Sequence, residues 1–384
     1  MNDLCPHFGS CGGCTFQDVP YEQQVAAKDA QVRESVLPFS PAEVRPILPS
    51  PDVWFYRNKM EFAFGGLKDA PPLLGLRQKG KFDRVVDLTE CRILSPDAGR
   101  LLTAVRRWAE AEKLPTYHLK SHKGFLRYLV VREGKNTGER MVHLVTAVGE
   151  APAESFLSAL DAAGVRADTV VWSVNAGLSD LARGEAKAVW RGTGTITETL
   201  EGKPYVITPT GFFQTNTRAA ETLYGVVRDF AGEGEAMVDL YCGAGTIGLF
   251  CASRFRRVVG VELNASSIES ARENAQRQGA TAEFIEADAA VAVREPSFRE
   301  VWDHPGTVAV LDPPRPGLAP AVRQLLLEKP PARWVYVSCN PKALAVDLSI
   351  LNPVFSVDAV QAVDLFPHTP HVETAVRLRR RPGI

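Results

Sequence analysis

From Met237 onward the chain alternates short apolar runs with stretches of helical period, and this alternation constrains its architecture more than any other feature. The runs MVDLYC, VVGVEL, AEFIEA, VAVLD and WVYVSC are short enough to be strands, and between them lie segments such as Asn264 to Gln278, with Gly279 placed as a helix stop. Strands that are apolar on both faces need cover on both faces, so runs like these joined through helices predict a parallel, doubly wound sheet. After Pro341 to Leu351, β-rich segments at Phe355 to Asp364 and Val372 to Arg379 are expected to close the sheet with a hairpin-like return. Upstream the pattern differs. FLRYLVVRE (Phe125 to Glu133) and RMVHLVTAV (Arg140 to Val148) read as antiparallel neighbours across a GKNTG turn, with further strands around Val170 to Asn175 and Tyr205 to Thr208. The expected fold class is therefore α/β: a Rossmann-like doubly wound domain preceded by an antiparallel α+β domain, with a boundary near Gly202 to Gly211.

A chain of 384 residues with 45% hydrophobic and 23% charged side chains can build two or three cored domains, and nothing in its composition reads as disorder. No unbroken apolar run approaches the roughly eighteen residues of a bilayer span. The polar start MNDLCPHFGS lacks the basic and apolar segments of a secretory signal, so a cytoplasmic protein with no membrane partner and no obligate protein partner is expected. Net charge is -1, yet Val53 to Arg140 holds 18 Lys and Arg against 10 Asp and Glu. That segment also carries Trp54, Phe55, Tyr56, Phe62, Phe64, Phe82, Phe125 and Tyr128. A basic surface with interleaved aromatics is the composition of a nucleic-acid face, although aromatics at such spacing also build cores.

The loop Asp239-Leu-Tyr-Cys-Gly-Ala-Gly-Thr246 sits where the first strand of the wound sheet turns into its first helix. Glycines there let the backbone approach a ligand, and the helix start adds a favourable dipole. The spacing D-x-x-x-G-x-G fits S-adenosylmethionine better than a dinucleotide, and the Lys-Ser/Thr of a nucleoside triphosphate loop is absent. Glu262 ends the second strand, where a carboxylate can accept from two ribose hydroxyls, and Asp288 ends the third, within reach of an adenine amino group. Asp312-Pro-Pro-Arg-Pro-Gly317 ends the fourth. Amino-group methyltransferases place an aromatic after the two prolines, and Arg315 stands there instead.

Ser338-Cys339-Asn340-Pro341 ends the fifth strand, which projects the Cys339 thiol at the rim where open α/β folds bind ligands. A thiolate at such a place is a candidate nucleophile. The tail FPHTPHVE (Phe366 to Glu373) supplies a carboxylate, Glu373, beside His368 and His371. An odd total of seven Cys argues for metal binding or catalysis rather than a disulfide framework. Cys5, Cys11 and Cys14, in CPHFGSCGGC, have ligand-like spacing with flexible Gly12 and Gly13, and Cys91 is the remaining Cys outside the wound domain. Zinc, an iron centre and a chance group of reduced thiols all satisfy that spacing. Cys242 and Cys251 read as structural.

Through GFFQTN (Gly211 to Asn216), DLYCGAG, DPPRPG, SCNP and FPHTPHVE, in this order over the carboxyl-terminal half, the chain resembles the RNA uracil-5-methyltransferase family. The resemblance implies an S-adenosylmethionine cofactor at Gln214, Tyr241, Glu262, Asp288 and Asp312, with Cys339 as nucleophile and Glu373 as base. Carbon 5 of uracil is a poor nucleophile while the ring stays conjugated. Addition of a thiolate at carbon 6 overcomes this, and a base must later remove the carbon 5 proton. Thr246 stands where many relatives have Asn, so no contact is assigned to it. The resemblance further implies a [4Fe-4S] cluster on Cys5, Cys11, Cys14 and Cys91. It divides the chain into residues 1–95, the iron-sulfur region and start of the central domain; 96–208, a central α+β RNA-binding domain; and 209–384, the catalytic domain.

Only four residues precede Cys5, leaving no room for the TRAM domain of longer members, and this short cluster-bearing arrangement resembles the branch acting on 23S ribosomal RNA. The expected partner is RNA, with 23S ribosomal RNA as the leading substrate and a tRNA uridine as the alternative. A 5-methylcytosine enzyme generally has an additional Cys after a Pro in the fourth-strand motif, which DPPRPG lacks. Readings of a different class are an iron-sulfur RNA-binding or sensing protein without methyltransferase activity and an RNA-binding assembly factor.

Overall fold

The computed structural model describes residues 4–66 and 70–383. Its cysteine-bearing opening loop leads into helix α1 (Tyr21–Val36) and a short strand, β1 (Glu43–Val44). Gln24, Lys28, Val32 and Val36 are the buried positions of α1, a stripe with a four-residue repeat. Two of the four are polar and have specific partners: Lys28 Nζ donates to Asp364 Oδ1 at 2.7 Å and to the Phe366 carbonyl at 2.9 Å, and Gln24 Nε2 donates to the Phe16 and Val19 carbonyls. A buried cation is tolerated only when paired, so α1 is locked onto the far end of the chain.

The central sheet contains β2 (Lys59–Gly65), β3 (Leu73–Arg77), β4 (Val85–Asp87), β5 (Leu126–Glu133), β6 (Arg140–Thr146), β7 (Thr169–Val174) and β8 (Glu185–Arg191), in the order β4-β3-β2-β5-β6-β7-β8. β5 and β6 pair antiparallel across the GKNTG turn, as the sequence indicates. β6 and β7 are parallel, because helix α3 (Ala153–Ala162) crosses over between them. Helix α2 (Ala98–Ala111) lies beside α3, and Trp108 meets Phe156 edge-on with ring centres 4.7 Å apart. β2 hydrogen-bonds β5, from Lys59 opposite Arg132 to Ala63 opposite Tyr128. The division expected between residues 95 and 96 therefore runs through one sheet, since the chain before it supplies three strands to the same layer.

A hairpin of β9 (Ile196–Leu200) and β10 (Lys203–Ile207) leads to helix α4 (Thr217–Ala231), capped by Asn216, whose side chain accepts from Ala219 N. The wound domain then follows as β11 (Gly234–Leu240), α5 (Thr246–Cys251), β12 (Phe255–Glu262), α6 (Ala265–Gln278), β13 (Ala282–Glu286), α7 (Ala289–Ala292), α8 (Pro296–Trp302), β14 (Thr307–Leu311), α9 (Pro320–Glu328), β15 (Arg333–Ser338), α10 (Pro341–Leu351), β16 (Phe355–Val363) and β17 (Glu373–Arg380). Strand order is β1-β16-β17-β15-β14-β11-β12-β13, and β17 runs antiparallel to both its neighbours. Alternate residues serve opposite faces: Val308 and Val310 join one core layer, Ala309 and Leu311 the other. Asn264 caps α6 and Gly279 ends it at a φ of 60°. β1 pairs with β16, so the amino-terminal region completes this sheet as well as adjoining the central one.

Gly260, midway along β12, has no room for a side chain. A Cβ there would stand 2.5 Å from the Phe284 ring and 2.8 Å from Cys242 Sγ. Gly260→Ala is expected to destabilise the fold by about 1–3 kcal/mol through overpacking, measured as a lowered melting temperature.

Candidate active site

Strand register determines which side chains meet at the carboxyl-end rim of the wound sheet. Ser338 of β15 lies opposite Thr374 of β17, so the next pair toward the rim is Cys339 and Glu373, facing each other from adjacent strands. On the other side of β15, Leu311 of β14 pairs with Tyr336, and Asp312 follows it. β11 pairs Leu240 with Leu311, which sets Tyr241 beside Asp312, and β12 pairs Val261 with Leu240 before ending in Glu262. Asp288 lies two residues past the Glu262–Glu286 pair of β12 and β13. Between β11 and β14 the strand order reverses, the point at which wound sheets open a crevice.

The DLYCGAG loop bends through three left-handed residues, Tyr241 (φ 67°), Gly243 (φ 55°) and Gly245 (φ 73°). Gly245 is pressed against the Phe284 ring, 2.8 Å from where a Cβ would stand. Gly243 N donates to Glu262 Oε2 at 3.2 Å, and Asn264 N to Glu262 Oε1 at 2.8 Å, which fixes the carboxylate while leaving each oxygen a further lone pair. Asp239 is buried beneath the loop and accepts from Gly248 N at 2.9 Å; burial, with Asp312 and Glu262 nearby, pushes its carboxyl up to about 8. Asp288 is exposed and caps α7 through Ala290 N at 2.7 Å, so it also has a purely structural task.

The segment carrying Gln214 crosses this rim. At one end the Phe212 ring lies 3.8 Å from where a Cβ on Gly243 would stand, and at the other Asn216 Nδ2 donates to the Leu365 carbonyl at 3.0 Å. The central domain holds it in place: Asn58 Nδ2 donates to the Gln214 carbonyl at 2.7 Å, and the buried Arg132 donates to the carbonyls of Pro209 and Gly211. The Gln214 side chain is only 7% exposed, yet its amide bonds to no described residue.

Glu373 is 3% exposed, and its Oε2 is buried without a partner among the described residues. Burial and repulsion from Asp312 hold its carboxyl well above the usual range, against the opposing Arg315, while burial raises Asp312 as well. Two such neighbouring carboxyls share protons rather than both ionising. The half-buried Cys339 thiol is pushed up to about 11, by burial first and then by Glu373 and Asp312, with Arg315 opposing. Arg315 Nη2 lies 3.3 Å from His371 Nε2, and Asn340 Nδ2 donates to the Arg315 carbonyl at 3.0 Å. His368 points elsewhere. It is buried, 4.0 Å from the Trp54 ring, with Nδ1 3.3 Å from Gln24 Nε2.

Residues 179–381 match the tRNA (uracil-5-)-methyltransferase family. An uncharacterized RNA methyltransferase of Clostridium tetani is 39% identical over 98% of this chain and 84% of its own. The tRNA (uracil(54)-C(5))-methyltransferase of Pyrococcus furiosus is 39% identical over 98% of this chain and 85% of its own. The crystal structure of the Pyrococcus abyssi tRNA (uracil-54, C5)-methyltransferase in complex with S-adenosyl-L-homocysteine superposes with a TM-score of 0.80 at 34% identity, covering 95% of this chain and 85% of that one. The chain belongs to the tRNA (uracil-5-)-methyltransferase family. It is an S-adenosylmethionine-dependent RNA (uracil-5-)-methyltransferase.

In this methyltransferase the early cysteines lie apart from the rim but are tied to it. Cys5, Cys11, Cys14 and Cys91 line one small pocket, together with His7, Leu76 and Ile93. Gly13 N donates to Cys11 Sγ at 3.3 Å, and the Ile93 and Leu94 amides point at the Cys91 sulfur. Burial pushes the Cys14 thiol up to about 11 and the Cys91 thiol up to about 12. Among the described residues, no three His, Cys, Asp or Glu side chains converge as they would around a single metal ion. The amides of Thr15 and Phe16, just after Cys14, donate to the His368 carbonyl at 2.7 and 3.0 Å, and Tyr56 Oη donates to the Pro367 carbonyl. No described helix is long and apolar enough to cross a membrane.

Three side chains of the methyltransferase site have places that the sequence alone does not reveal. Arg132 had a signal, a cation inside the otherwise apolar run FLRYLVVRE. Phe212 had a weaker one: in GFFQTN one ring enters the core, Phe213 at 4% exposure, and the other stays out at 59%. Arg315 marks a departure from amino-group enzymes in the sequence, whereas its place beside Cys339 and Glu373 depends on how the loop folds back, with Asp347 accepting from Leu318 N at 2.9 Å.

Proposed function

We propose that the enzyme methylates carbon 5 of a uridine in a tRNA, through a covalent adduct between Cys339 and carbon 6 of the base. The observation that carries this is the cross-strand pair of Cys339 with a buried, unpartnered Glu373, beside Asp312 and the unpartnered amide of Gln214. A buried polar atom without a partner is rare in folded proteins, and Glu373 Oε2 at this rim fits a polar ligand. Glu262 is suited to hold ribose hydroxyls, Asp288 an adenine amino group, and Gln214, Tyr241 and Asp312 the amino acid end of S-adenosylmethionine. When bound, that cofactor supplies the electrophilic methyl group and a sulfonium charge that lowers the raised Asp312, Glu373 and Cys339 groups together.

In the proposed sequence, Cys339 Sγ, as thiolate, adds to carbon 6, and the electron pair of the carbon 5–carbon 6 double bond moves into an enolate. Carbon 5 of the enolate would then bond to the methyl carbon as the methyl–sulfonium bond breaks, its electron pair staying on the sulfur of S-adenosylhomocysteine. Glu373 removes the remaining carbon 5 proton, the double bond re-forms, and Sγ leaves with its electron pair. The uridine must leave its stack to reach the rim.

The sequence pointed first to 23S ribosomal RNA. The uracil-54 tRNA enzymes of Pyrococcus furiosus and Pyrococcus horikoshii match 98% and 97% of this chain, which supports tRNA instead. The test is incubation of the purified enzyme with S-adenosylmethionine and either unmodified tRNA or a 23S ribosomal RNA transcript, followed by mass mapping. Appearance of 5-methyluridine in one tRNA loop is the expected result. Product in the ribosomal transcript alone overturns the choice of substrate, and no product in either overturns the chemistry.

We also propose that Cys5, Cys11, Cys14 and Cys91 hold a [4Fe-4S] cluster. Each thiolate of such a cluster binds a different iron, which needs a wider set of sulfurs than one ion does, and the amides directed at Cys11 and Cys91 suit charged sulfurs. Anaerobically purified protein should contain iron and sulfide. Stripping the iron is expected to weaken RNA binding by about tenfold or more, with S-adenosylmethionine affinity held within about twofold, because the pocket borders the basic central domain and not the DLYCGAG loop. Equal loss of both would contradict this.

A further inference from the structure

The turn between β3 and β4 and the loop between α2 and β5 meet in one exposed surface on the central domain. Lys120 joins them: its Nζ pairs with the Asp83 carboxylate and lies 5.8 Å from the centre of the Phe82 ring. Phe82 is 68% exposed. Around it stand Lys79, Lys81, Arg84 and Lys123, all exposed, and none has a carboxylate within 4.0 Å among the described residues. The one acid in the turn, Asp83, is already taken by Lys120. Local bonds keep the loop in shape, with His118 N donating to the Lys123 carbonyl at 2.8 Å and the Arg127 guanidinium lying 4.2 Å over the Tyr117 ring.

This surface is mechanically connected to the active site. Lys79 N donates to the Ser10 carbonyl and Gly12 N to the Arg77 carbonyl, both at 2.9 Å, so the basic turn rests on the cysteine loop. Five residues after Ser10, Thr15 N bonds the His368 carbonyl, on the loop that leads to Glu373. Five extended residues span at most about 18 Å, so a single folded RNA reaches both places.

We propose that this surface docks the phosphate backbone of the RNA whose uridine enters the rim, with Phe82 stacking on an unpaired base. The inference rests on the RNA-methylating reading above and adds where the rest of the substrate is held. Unpaired cations on flexible stems around a lone exposed ring suit phosphates and a base. An anionic membrane would call for a broader apolar stripe.

The test uses the full chain with Lys79, Lys81 and Arg84 all changed to Glu, and separately with Phe82→Ala. All four side chains are exposed, and an unchanged melting temperature and S-adenosylmethionine affinity establish that the variants are folded. The probes are a full-length tRNA transcript and a short hairpin containing only the target loop. For the triple variant, the full-length affinity is expected to fall by about tenfold or more and the dependence of log Kd on log salt to flatten by about 2. The hairpin offers fewer phosphates to the patch and should lose less affinity than the full-length RNA does. Phe82→Ala should weaken full-length binding by about 5-fold or more, as loss of base stacking does, without changing the salt dependence. Unaltered full-length affinity and salt slope in the triple variant overturn the docking surface and leave the charges to another partner. These measurements read binding alone. A wild-type enzyme that binds tRNA with this salt dependence but makes no 5-methyluridine would sink the catalytic reading and spare the surface.

Discussion

Cys339→Ala is expected to lower single-turnover methyl transfer by at least about four orders of magnitude, with S-adenosylmethionine affinity within about twofold of wild type. No other thiol can substitute. Cys242 and Cys251 are buried within and behind the cofactor loop, and the remaining four line the pocket on the other domain. A transcript with 5-fluorouridine at the target position should form an adduct with the wild type that survives denaturing electrophoresis, because no proton can leave carbon 5, and none with the variant. Full methyl transfer by Cys339→Ala would end the covalent scheme. The pH dependence follows from the same site. Burial and the neighbouring carboxyls push the thiol up to about 11, so the thiolate is the minor form at neutral pH and increases as pH rises. Glu373 is raised too, and must lose its proton to serve as base, so both groups act in the same direction. With S-adenosylmethionine bound, whose sulfonium offsets part of these shifts, the single-turnover rate is expected to rise with pH through the neutral range, and a rate that falls with rising pH there would contradict this assignment.

Glu373→Gln separates the two halves of the reaction. The amide fills the same space and still faces Cys339, so attack and methyl transfer should persist within about tenfold. It cannot take the carbon 5 proton, and release should slow by about a thousandfold or more. The expected signature is a methylated RNA–protein adduct accumulating with ordinary uridine, which the wild type holds only briefly. Free product at the wild-type rate would remove Glu373 from the base role, and His371, on the exposed side of the same loop, would be the next candidate.

What the sequence made legible followed from local periodicity. Continuous apolar runs such as VAVLD became strands of a sheet covered on both faces, and Asn264 and Gly279 bounded α6 as their chemistry requires. Motifs at strand ends could be placed at one rim because parallel strands all end on one side, and β17 brings Glu373 there by entering the sheet in the opposite direction. Contacts between distant segments were not legible. The two residues of β1 have no pattern that marks a strand, and only the exposed edge of β16 gives them a partner. The parallel β6–β7 pair arises because α3 returns across the sheet, while the strand sequences alone suit either direction. Arg132 holds the Gln214 segment from a different domain, a relation that spacing along the chain does not encode.

The attachment of α1 and β1 to the carboxyl-terminal hairpin also bears on how the protein is made. Lys28 has its carboxylate partner at Asp364, and β1 has its neighbour in β16, more than three hundred residues later. During synthesis the first fifty residues leave the ribosome long before these partners exist, so a nascent chain carries an unpaired Lys28 and an unpaired β1 until residues 355–364 have been made. Contacts this far apart in sequence close slowly. Methylation competence should therefore appear late and all at once, after β16 and β17 have been made, and truncations that remove these two strands should yield molecules vulnerable to proteases at their amino-terminal end as well.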